Sequence, residues 1–156
     1  MSFFSAAISL LSLLPLQSLP YSVAHRGGHI KGYVPENSPA GVASAKKYGF
    51  RAIECDVHYT KDNVLVLMHD KTINRTMVNA SDLSKIQEPV IVAETNFADL
   101  RNNYVLASSD PAKRTAIPTF EEELAACKKY GIVPMLHTQH FQAYKRAKEV
   151  LGDNFI

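Results

Sequence analysis

Residues 50–59 read Phe50-Arg51-Ala52-Ile53-Glu54-Cys55-Asp56-Val57-His58-Tyr59. In an extended strand successive side chains point to opposite faces, so Glu54 and Asp56 share one face and Cys55, between them, points the other way. Ala52, Ile53 and Val57 mark the strand as buried. Two carboxylates on one face of a buried strand are costly unless something positive lies between them. A hard divalent cation meets that need, because Mg²⁺ and Ca²⁺ take oxygen ligands. Cys55 is expected under a helix, and Cys127 falls within a helical pattern. Both read as buried free thiols, and no zinc-type cysteine spacing is present.

Outward from this strand, histidines close the neighbouring apolar runs. Tyr21–Ala24 is a short strand ending at His25-Arg26-Gly27, and Val64–Met68 is an apolar run ending at His69-Asp70. Ile132–Leu136 is a fourth strand, finishing at His137. Between them, Ser38 caps a helix from Ala40 to Lys47 with Pro39 in its first turn, and Gly49 stops it. Lys61-Asp62-Asn63 is a tight turn. Pro118-Thr119 opens a helix over Phe120–Tyr130, with Glu121, Glu122 and Glu123 at its positive end and Lys128-Lys129 near its negative end. Phe141–Leu151 is a last amphipathic helix, stopped by Gly152. The pattern weakens over Lys71–Ala116, where only a short helix within Thr95–Tyr104 is expected. Strands alternating with helices, and chemistry-bearing residues at strand ends, indicate an α/β fold.

The chain has 156 residues, 46% of them hydrophobic and 21% charged, the composition of a soluble domain of ordinary size. A net charge of +2 gives no argument for nucleic acid as a partner. Residues 1–20 form a separate apolar segment, and the first charged side chain is Arg26. Phe3–Leu16 has the length of a signal-peptide hydrophobic region but lacks a basic start, and serines interrupt it. Three readings stay open: an atypical secretory signal, an N-terminal helix docked on the domain, or a hydrophobic anchor. The first would place the domain, residues 21–156, outside the cytoplasm in a secreted or periplasmic setting. The second is compatible with a cytoplasmic location, and the third would bring it to a membrane.

The run Ala24-His25-Arg26-Gly27, Pro35-Glu36-Asn37-Ser38, Ile53-Glu54-Cys55-Asp56-Val57, Thr60-Lys61-Asp62-Asn63, His69-Asp70, Asn74-Arg75-Thr76 and Ile117-Pro118-Thr119-Phe120-Glu121-Glu122 resembles the glycerophosphodiester phosphodiesterase family. The resemblance implies a TIM-type (β/α) barrel, a divalent metal and hydrolysis of a small phosphodiester. It implies metal ligation by Glu54 and Asp56, and acid/base roles for His25 and His69, either of which can be the base. In the mechanism it implies, a substrate hydroxyl attacks phosphorus, a cyclic phosphate forms, and water opens it to give glycerol 3-phosphate and an alcohol. Arg26 would hold a phosphate oxygen through its planar fork. Glu36 would support the site or face substrate.

Two features depart from the family. At the fourth strand the family shows a glutamate and, two residues later, a lysine; here Leu136-His137-Thr138-Gln139 stands in that place. His137 thus takes the third metal-ligand position. This leaves the identity of the metal, Mg²⁺ or Ca²⁺ by resemblance, open, since imidazole suits transition metals better. The second is length, because a full barrel takes about 250 residues. Four strands amount to about the first half of one, which predicts unpaired edges and self-association to cover them. The leading function is metal-dependent hydrolysis of glycerophosphodiesters. The alternatives are a non-catalytic or truncated relative that keeps part of the site, and a phospholipid-directed phosphodiesterase at a membrane.

Overall fold

The computed structural model describes residues 22–156, so the readings placed on residues 1–20 lie outside the described residues. Strand β1, Val23–Ala24, runs into a single 3-10 turn over His25–Gly27. Helix α1 spans Pro39–Lys47, with the Ser38 hydroxyl accepting from Gly41 N at 3.2 Å and donating to the Pro35 carbonyl at 2.7 Å. The central strand β2 covers Ala52–Tyr59 and is followed by β3, Leu65–Leu67. Two short strands come next, β4 at Met77–Asn79 and β5 at Tyr104–Leu106, with helix α2 at Phe97–Asn103 between them. Helix α3, Phe120–Tyr130, strand β6, Val133–His137, and helix α4, Phe141–Leu151, complete the described chain.

β2 is the hub of the main sheet. β1 and β6 both pair with it in parallel, with Ala24 opposite Ile53 and Asp56 opposite His137. β3 pairs with the outer half of β2 antiparallel, Val57 facing Leu67. The expectation of four barrel strands is therefore corrected to three parallel strands and one antiparallel extension. The reason is the connection: residues 60–64 form a tight turn, closed by Thr60 N to the Val64 carbonyl at 3.0 Å. A parallel return needs a crossover of a dozen or more residues. A second sheet, β4 antiparallel to β5, lies in the region where the sequence pattern was weak. It carries its own apolar cluster, including Ile73, Met77, Leu100 and Leu106. The outer edge of β6 is met by the chain itself, Leu136 N donating to the Ile156 carbonyl at 2.7 Å and Ile156 N to the Pro134 carbonyl at 2.9 Å. Among the described residues no helix is long and apolar enough to cross a membrane.

Alternation along β2 sorts its two faces as expected. Cys55 and Val57 pack with Phe120 and Leu124 of α3, and Ile53 packs with Val42 and Ala45 of α1. Cys55 and Cys127 are both free and buried. Glu54 and Asp56 point to the opposite face. Helix α1 lies hard against the turn after β1: a Cβ on Gly41 would collide with the Gly27 carbonyl oxygen, so only glycine fits there. The helices end as their sequences dictate. Thr119 forms a reciprocal capping box with Glu122, and Gly131 closes α3 in the left-handed region at φ 62°.

One residue breaks the pattern. Glu123 sits on the buried face of α3 with no exposure, and neither carboxyl oxygen has a hydrogen-bond partner among the described residues. Its burial raises the carboxyl from 4.5 to about 8. The folded state then holds a proton that the unfolded chain releases. The stabilisation from that proton is complete below pH 4.5, declines as pH rises above it, and is gone past about 8. Glu123→Gln removes the titration. Its stability relative to the parent, from urea melts at a series of pH values, is expected to rise between pH 4.5 and 8 and level off above. A difference flat across that range would contradict a protonated Glu123.

Candidate active site

The two acidic side chains of β2 are buried, Glu54 at 8% and Asp56 at 3% exposure, and each is tied down through one oxygen. Arg26 N donates to Glu54 Oε2 at 2.9 Å. Asn37 Nδ2 donates to Asp56 Oδ2 at 2.8 Å, while Asp56 N donates back to Asn37 Oδ1 at 3.0 Å. Both donors stand on left-handed backbone, Arg26 at φ 48° and Asn37 at φ 50°. Asparagine tolerates that region better than most residues, whereas an arginine there carries strain of order 1–3 kcal/mol. Asn37 N also donates to the Arg26 carbonyl at 2.9 Å, which locks the two segments together.

The remaining oxygens converge. His137 Nδ1 lies 3.0 Å from Asp56 Oδ1 and 3.5 Å from Glu54 Oε1. One ligand atom from each of Glu54, Asp56 and His137 falls within 4.8 Å of the others. The donor set fits a divalent cation. Each carboxylate is oriented through one oxygen by a protein donor; of the remaining two, Asp56 Oδ1 accepts from His137 Nδ1 at 3.0 Å, so a cation bound here would take the place of that proton. Thr138, next to His137, secures the strand end by donating its hydroxyl to the Val57 carbonyl at 3.0 Å. Gln139 is exposed.

A second network reaches His69. Its Nδ1 stands 2.6 Å from Asp70 Oδ1, and a carboxylate can only accept, so Nδ1 carries the proton and Nε2 is left for chemistry. Arg75 grips Asp70 through Nε at 2.6 Å and Nη2 at 3.1 Å, and grips Glu36 through both terminal nitrogens at 3.0 and 2.7 Å. Glu36 in turn accepts from Arg26 Nη1 at 3.3 and 3.4 Å. The Arg75 hydrogen bonds, with a smaller push from His69, hold Asp70 down to about 2 against the upward pull of burial. Burial lifts Glu36, but the two arginines outweigh it and keep it below the ordinary carboxylate value. Glu36 is thus a bridge between two guanidinium groups. His25 precedes Arg26 on the 3-10 turn with its side chain exposed. A cleft of roughly 470 Å³ opens beside this network, lined by Arg26, His29, Lys31, Glu36, Arg75 and Thr76 among others.

The structure therefore gathers Glu54, Asp56 and His137 at one centre and links Arg26, Glu36 and His69 through side chains, with His25 adjoining. Asn37 and Arg75 are the positions in these networks that the residue types alone do not single out. Arg75 lies in the Asn74-Arg75-Thr76 motif, but its residue type does not reveal its role, since its partners lie 5 and 39 positions away. Asn37 stood inside a quoted motif, and its signal was an asparagine wedged between a loop and a helix cap.

The sequence profile of the glycerophosphoryl diester phosphodiesterase family matches residues 25–155. The chain belongs to this family. It is 31% identical over 116 residues to human glycerophosphodiester phosphodiesterase 1, covering 71% of this chain and 31% of that protein. A Bacillus subtilis glycerophosphodiester phosphodiesterase is 44% identical over 55 residues, 35% of this chain and 18% of its own length. In three dimensions the chain resembles an Oleispira antarctica phosphodiesterase solved in complex with the product sn-glycerol-3-phosphate. That match has a TM-score of 0.64 and 25% identity, and covers 88% of this chain and 54% of that one. The chain thus spans about a third of the human relative and about half of the solved neighbour.

Arg75→Ala removes the main cause of the low Asp70 value. Carboxyl-carbon NMR titration is expected to show Asp70 moving up from about 2 toward its ordinary 3.8, and an unmoved Asp70 would refute the bridge.

Proposed function

We propose that this chain carries the phosphodiester-binding and acid/base part of an enzyme that hydrolyses glycerophosphodiesters to glycerol 3-phosphate and an alcohol. The carrying observation is the division of labour at β2, where one oxygen of each carboxylate is fixed by the protein and the other aims at the centre shared with His137. Family membership and the product-bound neighbour support the same reaction class.

A divalent cation held by Glu54, Asp56 and His137 would supply Lewis-acid polarisation of a phosphoryl oxygen. Everything else falls to the side chains. Arg26 borders the cleft, and its contacts to Glu36, made through Nη1, are long, so the outer nitrogens of its fork have capacity for a phosphate oxygen. Arg75 and Glu36 hold that fork in place. His69, oriented by Asp70, presents Nε2 to one oxygen of the diester, and His25 serves the other. One histidine takes the proton of the attacking substrate hydroxyl and its partner protonates the leaving oxygen; the roles exchange when water opens the cyclic phosphate. A second reading, a relative that binds without turnover, draws on Gln139, a neutral side chain where the family has lysine.

The test is release of glycerol 3-phosphate from glycerophosphocholine by the purified chain with divalent metal. Removing one proton-transfer group typically costs about 10²–10⁴-fold. His69→Ala and His25→Ala are each expected to lower kcat within that range with little change in melting temperature. Full activity in His69→Ala would rule out the acid/base assignment, and an inactive parent chain that still binds glycerol 3-phosphate would favour the second reading.

A further inference from the structure

We propose that His137 makes this centre selective for a transition-metal dication of the Mn²⁺ or Zn²⁺ class over Mg²⁺ and Ca²⁺. The inference rests on the reading of Glu54, Asp56 and His137 as a metal centre, and it concerns which ion that centre prefers.

Three observations carry it. The first is the donor set. Two carboxylate oxygens and an imidazole nitrogen converge here, whereas Mg²⁺ and Ca²⁺ favour all-oxygen surroundings and imidazole suits transition metals. Replacing one anionic ligand by a neutral one also removes charge attraction, which hard cations depend on most. Transition cations recover part of that loss through the nitrogen donor.

The second is spacing. Metal–ligand bonds of about 2.0–2.2 Å place neighbouring donors about 3.0–3.5 Å apart. The Nδ1–Oδ1 and Nδ1–Oε1 separations are 3.0 and 3.5 Å. Octahedral Mg²⁺ fits the same separations, so the spacing establishes room for a small dication and the donor set separates the transition ions from Mg²⁺.

The third is preorganisation. Arg26 N and Asn37 Nδ2 occupy the outer carboxylate oxygens, so neither Glu54 nor Asp56 is arranged to close on an ion through both oxygens, as a large Ca²⁺ shell often demands. His137 itself is poorly covered, with 74% of its side chain exposed, and the register of β6 against Asp56 places it. Nothing in the core needs an imidazole there, so position 137 can be changed without disturbing packing.

Calorimetric titration of the full chain with MnCl₂, ZnCl₂, MgCl₂ and CaCl₂ tests this, alongside His137→Glu, His137→Ala and Asp56→Asn. The parent is expected to bind Mn²⁺ or Zn²⁺ at least tenfold more tightly than Mg²⁺ or Ca²⁺. His137→Glu should narrow or reverse that ratio, and His137→Ala should weaken the transition ions by tenfold or more. Asp56→Asn should abolish the site for all four, which separates it from adventitious binding by other histidines. Circular dichroism melts confirm that each variant folds. Equal affinity for Mg²⁺ and Mn²⁺, or a ratio untouched by both His137 variants, overturns the inference. So does a parent that binds none of the ions, with His137 serving the carboxylates only as a hydrogen-bond donor. Glycerophosphocholine turnover is read separately: turnover with an unaltered ion ratio sinks this inference alone, and altered ion ratios without turnover sink the catalytic reading alone.

Discussion

Two carboxylates on one face of a buried strand set the terms for the rest of this structure. Glu54 and Asp56 are both nearly covered, and unpaired buried charges of like sign cannot persist. The chain answers with donors drawn from the turn after β1 and from the loop that leads into α1. Arg26 turns its backbone N–H inward by adopting left-handed geometry, and Asn37 does the same with its side chain. Strain at these positions is held because α1 starts immediately after Asn37, capped by Ser38, and seats its Gly41 against Gly27. The helix packing, the turn and the acidic pair are thus one mechanical unit.

Around that unit the ion-pair chain from His69 through Asp70, Arg75 and Glu36 to Arg26 ties the end of β3 to the end of β1. Each charged group in it touches an opposite one, and the low values of Asp70 and Glu36 follow from the shared arginines. Arg26 belongs to both systems, with its backbone on Glu54 and its side chain on Glu36. A change at the cleft therefore reaches the acidic pair through a single residue. His137 is the exception to this tight arrangement, contributed by a strand terminus and largely open to solvent.

Much of the fold was legible because local signals and packing agreed. Ser38, Thr119, Gly131 and Gly152 delimit helices that end where their sequences say. Alternation along β2 correctly placed Cys55 under a helix and the acids opposite it. The direction of β3 is not legible in its apolar run, which looks the same in either orientation; the connection before it, residues 60–64, is too short for a parallel return. The β4–β5 sheet was missed because three-residue strands give too few alternations to show a period. In the site, Glu54, Asp56, His69 and His137 carried chemistry in their own residue types. Arg75 and Asn37 act through partners distant in sequence, and only folding reveals such partners.

The most direct test of the account is anomalous diffraction from crystals of this chain soaked in MnCl₂. The account predicts one strong peak within bonding distance of Glu54 Oε1, Asp56 Oδ1 and His137 Nδ1, with Arg26 N and Asn37 Nδ2 still on the outer oxygens. Crystals that show no peak there, with His137 still hydrogen-bonded to Asp56, would contradict it.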